Sequence, residues 1–335
     1  MNKVPILDRK NVLITGGAGF IGSHLCDALV KTAHVICVDN FATSAVANIQ
    51  HLLQDPNFEF INQDINQPFQ LADFSELERF HVNIQGVQEV YHLACPISRT
   101  HFNDYKIATL LTNSLGTKNV LDVAVASHAK TLFASSSALY GKRQDDHRIS
   151  ETEPCTIDHL TSGGAYDEGK RFSEALFYTF QDVYGLDVKI ARIFRTYGPR
   201  MKLFDGHMIP DMVRAAIEGE PVELADPESR VNLCYVTDIV DGLIRHMESS
   251  QDVTVMNLGS SEEVPLKRLA ELIMRAADSS SVIQVTPSAE PVSEPMLPDI
   301  TRARQLLRWV PLVRLEDGLK AVVEDAQSRR HQLSL

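Results

Sequence analysis

Short runs of apolar, often β-branched residues alternate with helical apolar periodicity along the first 195 residues. The runs predicted to be buried strands lie at 12–14, 34–38, 58–61, 89–94, 131–134 and 188–194. Between them, apolar residues recur every three or four positions, which predicts long helices over 105–127 and 166–184. Strands that alternate with helices in this way predict an α/β fold with a doubly wound parallel sheet of the Rossmann type.

Glycines follow the first predicted strand directly. In the order G-x-x-G-x-x-G they are Gly16, Gly19 and Gly22, and Phe20 and Ile21 open the helical pattern that follows. A turn without side chains lets backbone N–H groups and the positive end of the helix approach an anion. This stretch therefore predicts a dinucleotide diphosphate site.

Acidic and apolar residues at the ends of later strands extend this prediction. Asp39 ends the second strand about 20 residues after the turn, where a carboxylate accepts a hydrogen bond from a ribose 2′-OH. It would repel a 2′-phosphate, and no arginine follows it closely, so NAD is favoured over NADP. Asp64 and Ile65 are expected to flank the adenine. Leu93 and Ala94, at the end of the fourth strand, are expected to face the cofactor.

The sequence pattern changes after the sixth predicted strand, where short apolar runs are separated by many prolines. We predict that these residues form a smaller, discontinuous α/β lobe that binds the substrate and follows the NAD-binding domain in the sequence. The predicted parts are 1–195 for the NAD-binding domain, and 196–231 with 257–325 for the substrate lobe. Residues 232–256 are expected to rejoin the main sheet, through strands at 234–236 and 253–256.

A tyrosine and a lysine carry the candidate chemistry. Tyr166 and Lys170 lie four residues apart on a predicted helix and so share one face. A nearby ammonium favours the phenolate and is expected to lower the tyrosine pKa from about 10. Such a tyrosine can take a proton from a sugar hydroxyl while a hydride passes to NAD. Ser136, after the fifth strand, is the candidate donor to the reacting oxygen, and a serine that only caps a turn is the alternative.

Several longer motifs carry a resemblance to a known family. They are ITGGAGFIGSHL (14–25), VDNF (38–41), YHLACP (91–96), YDEGKR (166–171), ARIFxTYGPRM (191–201), YVxDIVDGL (235–243) and NLG (257–259). With them the chain resembles an extended short-chain dehydrogenase/reductase of the nucleotide-sugar epimerase/dehydratase family. The similarity to the UDP-glucuronate decarboxylases runs almost end to end.

The resemblance implies an enzyme that oxidises a UDP-sugar at C4 with NAD, releases CO₂ from the 4-keto intermediate, and reduces the ketone again. Tyr166, Lys170 and Ser136 are the implied catalytic residues. The implied cofactor-binding residues, besides Tyr166 and Lys170, are Gly16, Gly19, Phe20, Ile21, Gly22, Asp39, Asn40, Asp64, Ile65, Leu93 and Ala94. The implied substrate-binding residues are Ser136, Arg195, Thr196, His207 and Arg230. The family also implies a homodimer, paired through the helices near 105–127 and 166–184.

The sequence departs from the family pattern around the sugar. Ala138 replaces a glutamate of the decarboxylases and dehydratases, Arg195 an asparagine, and His207 an arginine. Met296 and Leu297 stand where an arginine is usual. A 4-epimerase on a UDP-sugar or UDP-uronate needs no such glutamate and is the alternative reaction. A non-catalytic NAD-binding sensor or scaffold is a third hypothesis, against which the intact catalytic trio argues.

Composition narrows the class of protein further. The 335 residues are 44% hydrophobic, ample for a large core. A net charge of −12 argues against a nucleic-acid partner, which requires a basic face. The sequence shows neither the apolar segment of a signal peptide nor a run long enough to span a membrane, so a cytoplasmic protein is expected. Five scattered cysteines without ligand spacing predict no metal site.

Overall fold

The computed structural model describes residues 9–98, 100–141, 147–161, 163–250, 253–286 and 296–333. Within them the strands are β1 (Asn11–Thr15), β2 (His34–Asp39), β3 (Phe58–Asn62), β4 (Glu89–His92), β5 (Lys130–Ser136), β6 (Val188–Ile193), β7 (Thr196–Tyr197), β8 (Val222–Leu224), β9 (Arg230–Asn232), β10 (Cys234–Tyr235), β11 (Val255–Leu258), β12 (Glu263–Pro265) and β13 (Ile283–Val285).

The α-helices in the same residues are α1 (Phe20–Leu29), α2 (Val82–Gln85), α3 (Phe102–Leu111), α4 (Thr117–Ser127), α5 (Gly164–Tyr184), α6 (Met208–Glu218), α7 (Val236–Glu248), α8 (Leu266–Ala276), α9 (Thr301–Leu307) and α10 (Leu315–Leu333). A π-helical turn, Thr112–Gly116, joins α3 to α4. The long helix expected at 105–127 is therefore present, but it is widened in its middle.

The central sheet has seven parallel strands in the order β11-β6-β5-β4-β1-β2-β3. One face packs against α1, α7 and α9 through residues such as Leu25, Leu243 and Leu307. The other face packs against α4 and α5, where Leu121 and Phe177 are buried. Both faces of the sheet are covered, which is why its strands read as continuous apolar runs. The predicted doubly wound sheet is confirmed.

The two strands expected to rejoin the sheet behave differently. β11 pairs with β6 in the main sheet, as predicted. β10 instead pairs with β7 in a separate two-stranded ladder, so the prediction for 234–236 is wrong. The reason is that Val236 begins α7, whose buried residues Val236, Ile239 and Leu243 follow helical spacing.

A third hydrophobic core lies among α6, α8 and α10, with residues such as Val213, Leu269 and Val322 fully or almost fully buried. This core supports a separate C-terminal lobe, although the bounds given above for the two lobes stay a prediction. None of the helices described is long and apolar enough to cross a membrane.

Candidate active site at the carboxyl edge of the sheet

The glycine turn between β1 and α1 is closely packed. Gly16 has a φ of +72°, and a Cβ atom there would lie 2.7 Å from the backbone nitrogen of Ala94. A Cβ atom on Gly22 would lie 2.1 Å from the carbonyl oxygen of Gly16. Helix α1 then begins after Gly19 with no side-chain cap on its N-terminus. The backbone packs so closely that only glycine fits at these two positions, and the uncapped N–H groups at the start of α1 fit the diphosphate of NAD.

Asp39 lies against this turn and is almost completely buried. One carboxylate oxygen accepts a hydrogen bond from the Ala18 N–H at 3.0 Å. The other accepts from the Phe41 N–H at 2.9 Å and from the Ser44 hydroxyl at 2.7 Å. Each carboxylate oxygen has two lone pairs, so Asp39 retains acceptor capacity for a ribose hydroxyl. The Ser44 contact has no signal in the sequence, because it depends on how the loop folds back.

The residues expected around the adenine follow β3. The Asp64 carboxylate accepts a hydrogen bond from the Asn66 N–H at 2.9 Å. Ile65 packs against Gly116 of the π-helical turn and is 5% exposed, which leaves its side chain little surface for a ligand. Asn40 is exposed beside Asp39. The roles of these residues toward the cofactor stay predictions.

Three catalytic candidates meet at the end of β5. Ser136 is the last residue of that strand, and its hydroxyl hydrogen-bonds Tyr166. It also accepts a hydrogen bond from the Ala138 N–H at 3.1 Å, so it caps the following turn as well. The Lys170 ammonium donates to the Ala134 carbonyl oxygen at 2.8 Å. The structure thus brings Ser136, Tyr166 and Lys170 together.

The pKa of Tyr166 differs from the expectation. Burial raises the pKa of this tyrosine well above its ordinary value, the neighbouring Cys95 adds to the rise, and the hydrogen bond with Ser136 opposes it. The expected lowering by Lys170 is wrong for this structure. The Lys170 nitrogen lies 5.8 Å from the centre of the Tyr166 ring, and burial also lowers the pKa of the lysine. Desolvation outweighs the attraction between the two groups.

Gly169 explains how α5 reaches this position. A Cβ atom at Gly169 would lie 3.1 Å from the Cβ atom of Asn113, inside the π-helical turn. Asn113 is fully buried and donates hydrogen bonds to the Cys95 sulfur at 3.2 Å and to the Thr109 carbonyl at 2.8 Å. The wide turn turns this amide toward α5, and the glycine gives it room. This is a packing role within the YDEGKR motif.

A buried ion pair that sequence reasoning missed lies one helical turn beyond Lys170. The Glu174 carboxylate accepts two hydrogen bonds from Arg192, at 2.7 and 3.0 Å, and one from the Ser135 hydroxyl at 2.6 Å. Arg192 also donates to the Tyr140 hydroxyl at 3.0 Å. Because Tyr166, Lys170 and Glu174 follow one another at intervals of four residues, this pair fixes the rotation of α5 beside Ser136. The four-residue spacing from Lys170 to Glu174 is the sequence signal that could have placed Glu174 on the same face of the helix.

His92 forms a second buried contact beneath the glycine turn. Its two ring nitrogens hydrogen-bond the hydroxyls of Thr15 at 2.7 Å and Thr117 at 3.0 Å. Burial lowers the pKa of His92 to about 3. The ring is therefore neutral near pH 7 and joins β1, β4 and α4 as a structural group.

The predicted substrate-binding residues have different settings. Arg195 is exposed two residues beyond Ile193, the register partner of Ser136, and so belongs to the same edge of the sheet. The neighbouring Thr196 hydroxyl donates to the Phe194 carbonyl oxygen at 2.9 Å. His207 lies before α6, with its Nε2 atom 3.6 Å from an Asp205 oxygen. Arg230 is exposed in β9, which pairs with β12 away from β5.

The remaining departures from the family pattern also have clear surroundings. Ala138 lies in the turn Ser137–Tyr140 that follows Ser136, and its methyl group brings no acid or base there. Met296 packs onto a small apolar cluster of Tyr140, Ile149 and Phe194. The Leu297 carbonyl accepts a hydrogen bond from the Ile149 N–H at 2.8 Å. Among the residues that the structure describes, no group of three or more acidic, histidine or cysteine side chains could hold a metal.

Comparisons with known proteins agree with this geometry. The model of the NAD dependent epimerase/dehydratase family matches residues 12–259. The chain is 37% identical to UDP-glucuronic acid decarboxylase 4 of Arabidopsis thaliana, over 98% of this chain and 71% of the relative. It is also 37% identical to UDP-glucuronic acid decarboxylase 1 of Danio rerio, over 95% of this chain and 72% of the relative.

Solved structures with this architecture include two epimerases. The UDP-glucose 4-epimerase of Thermotoga maritima, with UDP-glucose, is 26% identical with a TM-score of 0.81, over 96% of this chain and 99% of that one. The UDP-glucuronic acid 4-epimerase of Bacillus cereus, in complex with NAD, is 25% identical with a TM-score of 0.78, over 95% of this chain and 99% of that one.

Proposed function

Because the chain belongs to the NAD-dependent epimerase/dehydratase family, we propose that it decarboxylates UDP-glucuronate to UDP-xylose through a transient 4-keto sugar. The observation that carries this proposal is the meeting of Ser136, Tyr166 and Lys170 at the edge of the sheet that also bears the glycine turn. Identity to two UDP-glucuronic acid decarboxylases over nearly the whole chain supports the choice of substrate.

The chain's own residues divide the work. NAD, when bound, supplies the hydride acceptor and donor at C4. Ser136 orients the C4 hydroxyl, and Tyr166 takes its proton as the ketone forms and returns it at the end. The raised pKa keeps the Tyr166 hydroxyl protonated near neutral pH in this structure, so Tyr166 must lose this proton before it can accept the one from the C4 hydroxyl. Lys170 and the Ser136 hydrogen bond are the groups that favour the phenolate.

Decarboxylation follows from the position of the ketone. A ketone at C4 is β to the C6 carboxylate, so the bond between C5 and C6 can break as CO₂ leaves. The electron pair passes into the ketone as an enolate, which then takes a proton at C5. We propose that Arg195, exposed two residues beyond the partner of Ser136, holds the carboxylate or the diphosphate.

Cofactor contacts belong to the same proposal. The turn from Gly16 to Gly22 holds the diphosphate. Asp39 accepts a hydrogen bond from a ribose hydroxyl and also from the Ala18 N–H of the turn.

The cytoplasmic location expected from the sequence stays a prediction.

A 4-epimerase is the second candidate, because Ala138 places no acid or base beside Ser136. We expect incubation with UDP-glucuronate to release CO₂ and give a UDP-pentose, detected by mass spectrometry. A product of unchanged mass and different retention would replace decarboxylation with epimerisation. Absence of any product from UDP- and dTDP-sugars, with no cofactor reduction, would favour the non-catalytic sensor.

We propose that the protein is a homodimer paired through α3 and α5. Both helices expose large apolar side chains, which are Ile107, Leu110, Leu111, Phe172 and Val183, with Leu115 in the turn between α3 and α4. A second copy of the same two helices would cover them.

Replacing Ile107 and Phe172 together by glutamate is expected to convert the dimer to a monomer, because two charges would then enter the apolar contact. Light scattering at micromolar concentration measures this change. Ile84→Glu, at an apolar residue on α2 that is even more exposed than Ile107 and Phe172, is the control and should leave the dimer intact. A wild-type monomer, or a double variant that stays dimeric, would contradict the proposed contact.

A further inference from the structure

A buried carboxylate joins two loops that belong to different parts of the molecule. Asp205 is 4% exposed, and one of its oxygens accepts hydrogen bonds from the hydroxyls of Ser98, which is fully buried, and Thr100. Ser98 and Asp205 are 107 residues apart in the sequence. The other Asp205 oxygen faces His207.

The first loop, of which residues 93–98, 100 and 101 are described, contacts the glycine turn and α3. The Leu93 N–H donates to the Thr15 carbonyl at 3.0 Å, and Ala94 packs directly against Gly16 of the glycine turn. Farther along, the Pro96 carbonyl accepts a hydrogen bond from Thr109 of α3 at 2.8 Å. These contacts connect the loop to the glycine turn and to α3.

The second loop leads into the C-terminal core. His207 directly precedes α6, where Ile209, Met212 and Val213 are buried in the third hydrophobic core. Only three residues, 206–208, thus separate Asp205 from Ile209, the first of the side chains that pack in this core. Movement of the lobe is passed to Asp205 through the start of α6.

Breaking the hydrogen bonds of the buried Asp205 carboxylate would cost free energy. A buried carboxylate that loses its hydrogen-bond donors is strongly destabilised, so the two loops cannot separate without cost. Hydrogen bonds to an ionised acceptor are also about twice as strong as those between neutral groups. The structure therefore favours conformations in which the two loops stay in contact through Asp205.

We propose that Asp205 is a positioning residue that couples the NAD-binding turn to the nucleotide-sugar lobe, so that NAD and the nucleoside diphosphate strengthen each other's binding. The identity of the second ligand as UDP rests on the proposed function. The coupling is reciprocal, because each ligand favours the same arrangement of the two loops.

The test measures the NAD affinity of the full chain by titration, without UDP and with saturating UDP. In the wild type, UDP is expected to tighten NAD binding at least about fivefold, the lower end of ordinary coupling between sites. In Asp205→Asn and in Ser98→Ala the effect is expected to fall below about twofold. Asp205→Asn removes the charge of the acceptor and Ser98→Ala removes the buried donor of the same contact, so the double variant should show no further loss.

Asp226→Asn is the matched control, since this exposed carboxylate of the C-terminal part accepts hydrogen bonds within its own turn, from Ser229 and Glu228. It should keep the wild-type coupling. If thermal melting shows that Asp205→Asn is unfolded, the coupling measured in Ser98→Ala decides the outcome. If UDP still binds these variants and tightens their NAD binding as much as in the wild type, Asp205 does not couple the two sites, and the proposed function is unaffected. A wild type that does not bind UDP would overturn the proposed substrate class, and this coupling with it.

Discussion

Tyr166→Phe is expected to lower turnover on the true substrate by about 10²–10⁴-fold, the usual contribution of a general acid–base group. The substitution removes the hydroxyl that hydrogen-bonds Ser136 but keeps the ring beside the Lys170 side chain. Fold and NAD affinity should therefore survive. Product formation from UDP-glucuronate, followed by mass spectrometry, measures the loss.

Tyr178→Phe provides the control for this result. Tyr178 lies on the same helix, is partly exposed, and is not part of the catalytic trio, so the loss of its hydroxyl should leave turnover unchanged. Near-wild-type turnover in Tyr166→Phe would show that another group moves the proton. A loss of NAD binding in that variant would instead assign the hydroxyl to the cofactor site.

Arg192→Leu is expected to lower the free energy of unfolding by about 3–5 kcal/mol, because it leaves the Glu174 carboxylate buried without its charged partner. Tyr140 loses a hydrogen-bond donor at the same time. Urea unfolding followed by circular dichroism measures the change.

The exposed pair between Arg245 and Asp241, 2.7 Å apart on α7, gives the comparison. Arg245→Leu should cost less than about 1 kcal/mol, since solvent screens such a pair. Equal losses for the two variants would mean that the buried pair contributes no more than a surface one, and that α5 is held by apolar packing alone.

The main sheet and the meeting of Ser136, Tyr166 and Lys170 were predictable from the sequence for different reasons. The strands are buried on both faces, so their apolar runs are continuous and stand out against the helical pattern. Tyr166 and Lys170 are four residues apart on one helix, a local relation that spacing reveals. Ser136 followed because a parallel strand ends where ligands bind.

Other features depend on contacts between distant residues. The π-helical turn is accompanied by the contacts of Asn113 with Cys95 and with Ser173, neither of which its own segment shows. The segment 234–236 was expected in the main sheet, but its strand, Cys234–Tyr235, pairs with β7, and Val236 already belongs to α7. The direction of the Tyr166 pKa shift also failed, since burial, its main cause, is a property of the folded chain.

The contact between Gly169 and Asn113 constrains how this chain can change over evolutionary time. A methyl group at residue 169 would lie 3.1 Å from an amide that three hydrogen bonds hold in place. A lineage that loses the glycine must therefore either shift Asn113 by a few tenths of an ångström against these hydrogen bonds or replace it by a smaller residue, and the two positions should vary as a pair. Gly169 thus restricts which residues can replace it near the start of α5, beside Lys170.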